Sequence, residues 1–441
     1  MSVSGRSPKV HSIPIRRSLR GLLCLPGFVL LAGGPAFAGP QDPAAASATS
    51  HVAHSPLELT WPDVVRLAEA HPRLAAGQLE VEAARKGVDA AGAIPNPSIE
   101  AEVGKGRART GDDSRTESGL ALSIPFDWLA QRGSRVEAAR AEVDVAVAES
   151  RSLRREVLFQ LRTLFWSLAY EQAHVAVLET LESQTSSLAF TVKRRVETGE
   201  VRPVEGPLVE IELEKVRSEL ESARTLLRGR QAALGRWLGA PADRPPFAKA
   251  DLGALPAVMG RDEALTRARA SDPSLAKANA RSRVLAADVR SERKAPIPTF
   301  SLRGFVADEL DREAWGVGVS VGIPVWNWNS ARIAQAEAKL TAGRRQAEAS
   351  AVEVDATVIE AQAACNASVA TATRFRDAIV PRSETAAFTM ERTYQLGEVS
   401  LLPVIDARRT LLDSRRLFLN ALVEAQVACT RLGALAGEEL P

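Results

Sequence analysis

The chain has 441 residues, of which 45% are hydrophobic, only 5% aromatic and 25% charged, and its 56 Lys and Arg against 54 Asp and Glu leave a formal charge of +2. No basic block stands out, which argues against a nucleic-acid partner. Alanine-rich hydrophobicity with interspersed charge is the balance of long packed helices, not of a bulky globular core.

At the N-terminus, Arg16, Arg17 and Arg20 precede the apolar run GLLCLPGFVLLAGG, and AFA at 36–38 offers the small residues a signal peptidase reads. Residues 1–38 therefore read as a signal peptide cleaved after Ala38. Cys24 lies inside the apolar run without the preceding small residue that lipoprotein processing requires, so it is expected to leave with the leader. Residues 39–56, rich in Ala, Ser and Pro, read as a flexible N-terminal tail. No later segment offers ~18 uninterrupted apolar residues, so no membrane helix is expected beyond the leader.

The remainder reads as one unit used twice. EAHPRLAAG from Glu69 is echoed by ASDPSLAKA from Ala270, setting Pro72 against Pro273 at an offset of 201. AIPNPSIEAEVG from Ala93 matches APIPTFSLRGF from Ala295, and SIPFDW matches GIPVWN, with Ile124 against Ile323. TGEV and LGEV set Gly199 against Gly397 at an offset of 198. The landmarks keep their order and fall at breaks between helices. Residues 57–239 thus form a first repeat and 261–437 a second. The Pro- and Gly-rich stretch 240–260 reads as a linker and 438–441 as a C-terminal tail.

Each repeat reads as helix, two short strands, very long helix, turn, helix. WGVGVSVGI alternates Trp315, Val317, Val319, Val321 and Ile323 with glycines and Ser320, the period-two signature of a strand with one apolar face. Strands are expected near 299–307 and 315–323, and in the first repeat near 98–104 and 118–124. The stretches 128–198 and 328–396 carry no clear break, and at 1.5 Å per residue each would reach on the order of 100 Å. The stripe Val354, Val358, Ala361, Cys365, Ser368, Ala372, Phe375, Ile379 steps alternately by four and three, as does Leu213, Val216, Leu220, Ala223, Leu227. That period of 3.5 means coiled-coil packing between neighbouring helices.

Four strands bury little by themselves, and an apolar face on an open sheet would stay exposed. In lipid, unsatisfied strand edges force closure into a barrel, and membrane barrels start at eight strands. Copies of the chain must then contribute together, and three in a closed ring would supply twelve. Trp128, Trp326 and Trp328 fall where strand becomes helix, as side chains at a headgroup boundary do, or else pack at helix starts.

IPFDWLAQRGSRVEAARAEV, IPVWNWNSARIAQAEAKL and above all YQLGEVSLLPVIDARRTLL resemble the TolC family of outer-membrane factors, and GEVSLLPVIDARRTLLDSRR looks most like its heavy-metal efflux branch, the CzcC type. The resemblance covers the mature chain from about Leu57 to Gly437. It implies a mainly α protein with a membrane β-barrel: a homotrimer whose twelve-stranded barrel in outer-membrane lipid continues into a periplasmic helical tunnel. Such a tunnel docks onto a periplasmic adaptor and an inner-membrane pump of the RND type. Heavy-metal cations are the implied substrate; a channel for drugs, solvents or type I secretion is the other reading.

A helix leaving the membrane has to turn back, and Gly199 and Gly397 can adopt the left-handed geometry that ends it. Pro203 and Pro403 are expected within the first turns of the returning helices, where a missing amide is harmless. The tips are thus expected near 198–203 and 396–403. The resemblance makes such tips the adaptor-docking sites, the other reading being plain solvent-facing turns: Thr198, Gly199, Glu200 and Val201 in one, Leu396, Gly397, Glu398, Val399 and Ser400 in the other. It also sets Asp406 where an aspartate lines the closed entrance, so a trimer would hold a ring of three carboxylates there; the other reading is an exposed helical Asp near Arg408 and Arg409. A second such aspartate is replaced by Pro403.

Cys365 lies 32 residues before Gly397 and Cys429 lies 32 after it, so a hairpin folded at that glycine brings them to one height. An oxidising compartment permits a disulfide if their Cα atoms come within about 7 Å; otherwise they are two buried thiols. No metal-ligand spacing, phosphate loop or nucleophile elbow occurs, so neither enzyme chemistry nor a cofactor is expected. His51 and His54 fall in the tail, and His174 reads as a helix-surface or packing residue. A periplasmic adaptor would carry its coiled-coil hairpin once among many strands; here the hairpin occurs twice and strands are few.

Overall fold

The computed structural model describes residues 55–107, 114–241, 243–309 and 312–438. The predicted leader, the tail through His54 and the last three residues lie outside them. The first repeat comprises β1 (Leu57–Leu59), α1 (Trp61–Ala68), α2 (Pro72–Gly92), β2 (Ser98–Arg107), β3 (Ser114–Pro125), α3 (Trp128–Glu197) and α4 (Glu205–Leu238). The second comprises β4 (Pro246–Ala248), α5 (Arg261–Ser271), α6 (Pro273–Lys294), β5 (Thr299–Glu309) and β6 (Arg312–Gly322). It continues through α7 (Ser330–Arg374), a π-helical turn (Phe375–Ile379), α8 (Val380–Gln395) and α9 (Leu401–Leu435).

Local chemistry sets the breaks between the shorter helices. Thr60 and Asp63 form a capping box at the start of α1, which satisfies amides the helix itself cannot. Asp272, buried between α5 and α6, accepts from the amides of Ser274 at 2.7 Å and Leu275 at 3.2 Å and from Arg155 at 2.6 Å. One carboxylate thus caps α6 and pins the second repeat to α3.

The main core lies midway along the long helices. Leu59, Trp61, Val64 and Ala68 pack against Val157, Leu161, Phe165 and Leu168 of α3, with Leu234 and Leu238 closing from α4. The second repeat copies this arrangement: Ala264 and Ala268 of α5 lie against Val354, Val358, Ala361 and Cys365 of α7 and Leu432 of α9. The stripes of period 3.5 are the buried seams.

Three expectations need correction. Residues 240–260 are not a bare linker, because β4 pairs in parallel with β1, Leu57 opposite Pro246 and Leu59 opposite Ala248. A three-residue strand carries no periodicity from which it could be read. The stretch 328–396 is not one unbroken α-helix: it begins at Ser330 and widens into the π-turn. Pro381 lacks an amide and its ring would meet the carbonyl one turn earlier, and a wider turn removes that clash. The strands also run longer than 98–104, 118–124, 299–307 and 315–323 at the hairpin ends, with pairing continuing to Arg107 opposite Ser114 and Glu309 opposite Arg312. Ile323 falls just past the last of them.

The four long strands form one antiparallel sheet ordered β2-β3-β5-β6. Directly opposed residues share a face, and the register sorts the side chains. Leu120 stands opposite both Ala101 and Val306, and Val306 opposite Trp315; Leu302 stands opposite Ile124 and Val319. That face is apolar and exposed, with Trp315 at 82%. The other face mixes polar and small residues with one aromatic ring: Arg303 reaches Glu100 at 3.2 Å, and Phe305 stands opposite Ala121 and Gly316, whose missing side chain leaves room for its ring. The strands hold 10–12 residues, close to the ~9–11 that cross a bilayer at a tilt.

Candidate functional site

At the far end of the long helices the two turns form a single head. α3 and α8 end alike. Gly199 (φ 76°) and Gly397 (φ 80°) are left-handed. The Gly199 amide donates to the Val196 carbonyl and the Glu200 amide to Arg195; Gly397 and Glu398 do the same to Tyr394 and Thr393. This double bond closes a helix whose last carbonyls have no partner further along. Pro403 lies in the first turn of α9, as expected. Pro203 falls two residues before α4 begins, in the turn itself, which corrects its expected position.

The head is held from inside. Leu188, Val192 and Val209 of the first hairpin pack with Tyr394, Leu401, Val404 and Ile405 of the second. Across this contact the Arg195 guanidinium donates to the carbonyls of Tyr394 at 3.4 Å and Gln395 at 3.3 Å, capping α8, and lies 5.6 Å from the Tyr394 ring centroid. The Tyr394 hydroxyl donates to Glu205 Oε2 at 3.3 Å, both residues being buried. Burial, then the neighbouring Glu205 carboxylate, pushes the Tyr394 hydroxyl above the usual tyrosine range. Sequence reasoning missed Arg195, Tyr394 and Glu205 as a group. The only signal was a tyrosine, one of two in the chain, three residues before a turn glycine.

The sequence-predicted residues surround this clamp. Thr198, Gly199, Glu200, Leu396, Gly397 and Glu398 are exposed, whereas Val201 and Ser400 are half-buried and Val399 packs into the core of the head. Asp406 is exposed one turn into α9. Its neighbours are engaged elsewhere: Arg408 with Glu391 and the Gln184 carbonyl, Arg409 with Glu212. Glu212, and to a lesser degree Asp406, raises the Arg409 guanidinium. Asp406 is therefore exposed beside a largely covered Arg408 and an Arg409 that stays exposed while paired with Glu212.

At the opposite end the three junction tryptophans differ. Trp326 and Trp328 are 94% and 66% exposed, but Trp128 is half-buried and its indole donates to the Pro125 carbonyl at 3.2 Å. Between the two ends, Cys365 and Cys429 face each other from α7 and α9 with Cα atoms 4.7 Å apart and sulfurs in bonding contact. His174 is buried, 3.9 Å from Glu171. Among the described residues no group of three His, Cys, Asp or Glu is arranged to hold a metal ion, and no helix is long and apolar enough to cross a membrane.

Two very long helical hairpins, each preceded by a strand pair of one four-stranded sheet with an exposed apolar face, form a tandem repeat. The model of the outer membrane efflux protein family matches residues 64–240 and again 264–438, and the chain belongs to that family, the TolC family its motifs resemble. The cobalt-zinc-cadmium resistance protein CzcC of Cupriavidus metallidurans is 26% identical over 369 residues, covering 82% of this chain and 86% of that one. Among solved structures, a membrane protein from Pseudomonas aeruginosa superposes with a TM-score of 0.73 at 20% identity, over 86% of this chain and 92% of its own. The transmembrane channel protein CusC does so with a TM-score of 0.72 at 19% identity, over the same shares.

Proposed function

We propose that the protein is the outer-membrane channel of a tripartite efflux system: a passive homotrimeric conduit, its helices forming a periplasmic tunnel and its sheets a twelve-stranded barrel in outer-membrane lipid. The observation that carries this reading is the amphipathic sheet with two open edges. In the protomer, β2 and β6 each have one neighbour, and a row of large apolar side chains stays exposed. Pairing β6 of one copy with β2 of the next around a threefold axis satisfies the edges and gives the apolar face to lipid.

The head of paired tips, exposing Thr198–Glu200 and Leu396–Glu398, is the surface offered to a periplasmic adaptor, through which an RND-type pump supplies the energy. Asp406, exposed in the protomer, turns to the threefold axis in this reading and contributes three carboxylates at the entrance. Heavy-metal cations are the proposed cargo, in keeping with the cobalt-zinc-cadmium resistance protein among the relatives. Reconstitution into planar bilayers tests the reading: cation-selective channels blocked by divalent metal are expected. Failure of the purified protein to conduct in any condition would reject it.

A further inference from the structure

The two hairpins are built alike at their tips but not along their length. α3 runs without interruption from Trp128 to Glu197, whereas its counterpart is divided into α7, the π-turn and α8. Of the π-turn only Phe375 joins the apolar cluster of Ala372, Leu422 and Ala425, and no residue of the turn is fully buried, although Cys365 and Ala372 just above it are. Ten residues above the turn, the second hairpin carries Cys365 against Cys429. At the offset of 198 the first hairpin has Ser167 and Gln231 there. Just below the turn, α8 meets α9 through a small polar pair, the hydroxyls of Ser383 and Ser414 at 2.9 Å, Ser383 also lying 2.9 Å from the Ile379 carbonyl of the π-turn and Ser414 2.7 Å from the Thr410 carbonyl of α9.

We propose that the Phe375–Ile379 turn with Pro381 is a two-state hinge in the second hairpin, and that a disulfide between Cys365 and Cys429 fixes the helices above it. Whether the hinge serves to open an entrance rests on the channel reading; the hinge itself does not. A π-turn holds one residue more than an α-turn. Releasing that residue into the helix lengthens it by ~1.5 Å, and regular α-geometry against Pro381 kinks it. For helices ~9 Å apart, a path difference of ~1.5 Å corresponds to a bend of about 10°. Were α7 free to slide along α9, that difference would dissipate upward. A covalent link at one level forbids sliding, so the change is delivered below it, to α8, the Gly397 tip and Asp406. What holds the arm against the first hairpin there is reversible: Arg195 on the α8 carbonyls, Tyr394 on Glu205, Arg409 on Glu212.

The bond forms by thiol–disulfide exchange with a donor protein disulfide of the oxidising compartment. Cys365 and Cys429 lose two protons and two electrons, and the donor leaves as a dithiol.

Hydrogen exchange read by mass spectrometry on the full-length mature protein in detergent, with planar-bilayer recording of the same samples, tests the hinge. In the unaltered protein, amides at 375–384 are expected to exchange at least tenfold faster than their counterparts at 177–186 in α3; equal rates overturn the hinge. Deleting Ala378 together with Pro381→Ala makes the helix continuous. It should slow exchange at 375–384 at least tenfold and make openings correspondingly rarer, and unchanged exchange in that folded variant also overturns it. Cys365→Ser with Cys429→Ser should spread fast exchange upward past residue 365 in α7 and past 429 in α9; a boundary that stays in place overturns the role of the disulfide. If the exchange pattern is as expected and no variant conducts, the hinge stands and the channel reading fails.

Discussion

Tyr394 and Glu205 are 189 positions apart in the chain and share one buried hydrogen bond. Tyr394→Phe leaves the Glu205 carboxylate with Arg202, at 3.6 Å, as its remaining partner. Loss of a donor to a buried charged group costs about 1–3 kcal/mol, here local to the head, so faster amide exchange at both tips and more frequent channel opening are expected. The sign with pH follows from the raised hydroxyl. The contribution of this contact is complete below the ordinary tyrosine value of about 10 and is lost as pH rises through the higher folded value. Burial also pushes up Tyr170, the other tyrosine, so phenolate absorbance in the native protein should develop at higher pH than in the denatured chain. Coincident titrations would contradict both assignments. Asp406 is argued at the same scale. If Asp406 lines the entrance as proposed, removing one carboxylate per copy from that partly solvated constriction is worth ~1–4 kcal/mol of cation attraction, so Asp406→Asn should weaken divalent block at least about tenfold. Block identical to that of the unaltered protein would remove Asp406 from the entrance. Of the tryptophans, Trp326 and Trp328 should be quenched by brominated lipid and the half-buried Trp128 much less.

Among the elements, what the sequence made legible was whatever has a local cause. The turns at Gly199 and Gly397 follow from the one residue type that accepts a positive φ freely, flanked by helical periodicity. At Gly397 nothing lies within 4 Å of where a Cβ would stand, so Gly397→Ala should cost about 1 kcal/mol of left-handed strain and little else. A thermal shift much larger than a few degrees would show that the tip is packed more tightly than the structure has it. The alternation around Gly316 and Gly318 was equally plain, since period two needs only five residues to declare itself. Gly316 has a second role visible only in three dimensions: a Cβ there would lie 2.8 Å from the Phe305 ring. Gly316→Val should therefore displace Phe305 and lower trimer yield. What stayed hidden depends on distant partners. Pro381 sits among helix-forming neighbours, and nothing nearby says whether a kink, a break or a π-turn will answer it. β1 and β4 are strands only because each finds the other. The equal spacing of Cys365 and Cys429 about Gly397 left bond and thiols both open, and it is the 4.7 Å Cα separation, within the ~4.4–6.8 Å that a disulfide spans, that makes a bond the natural outcome in an oxidising compartment. Two free thiols on titration of the unreduced, unfolded mature protein would exclude it.

At the scale of the whole molecule, the protomer is an incomplete object. Its helical part buries two pseudo-equivalent cores and closes its own turns, but its sheet exposes Ile99, Val103, Val317 and Val319 on one side and leaves two edges without partners. The apolar face is unfavourable in water, and the open edges are not tolerated in lipid unless they close. Three copies would satisfy both conditions at once, and the proposed trimer would also bring three Asp406 carboxylates and three heads to one axis. The central claim is thus that identical neighbours complete the sheet in a membrane. The most direct measurement is the protein mass of the purified mature chain in detergent, by light scattering corrected for bound detergent. A complex of three chains that requires detergent and dissociates on heating is the predicted result, and a water-soluble monomer needing no detergent would contradict it.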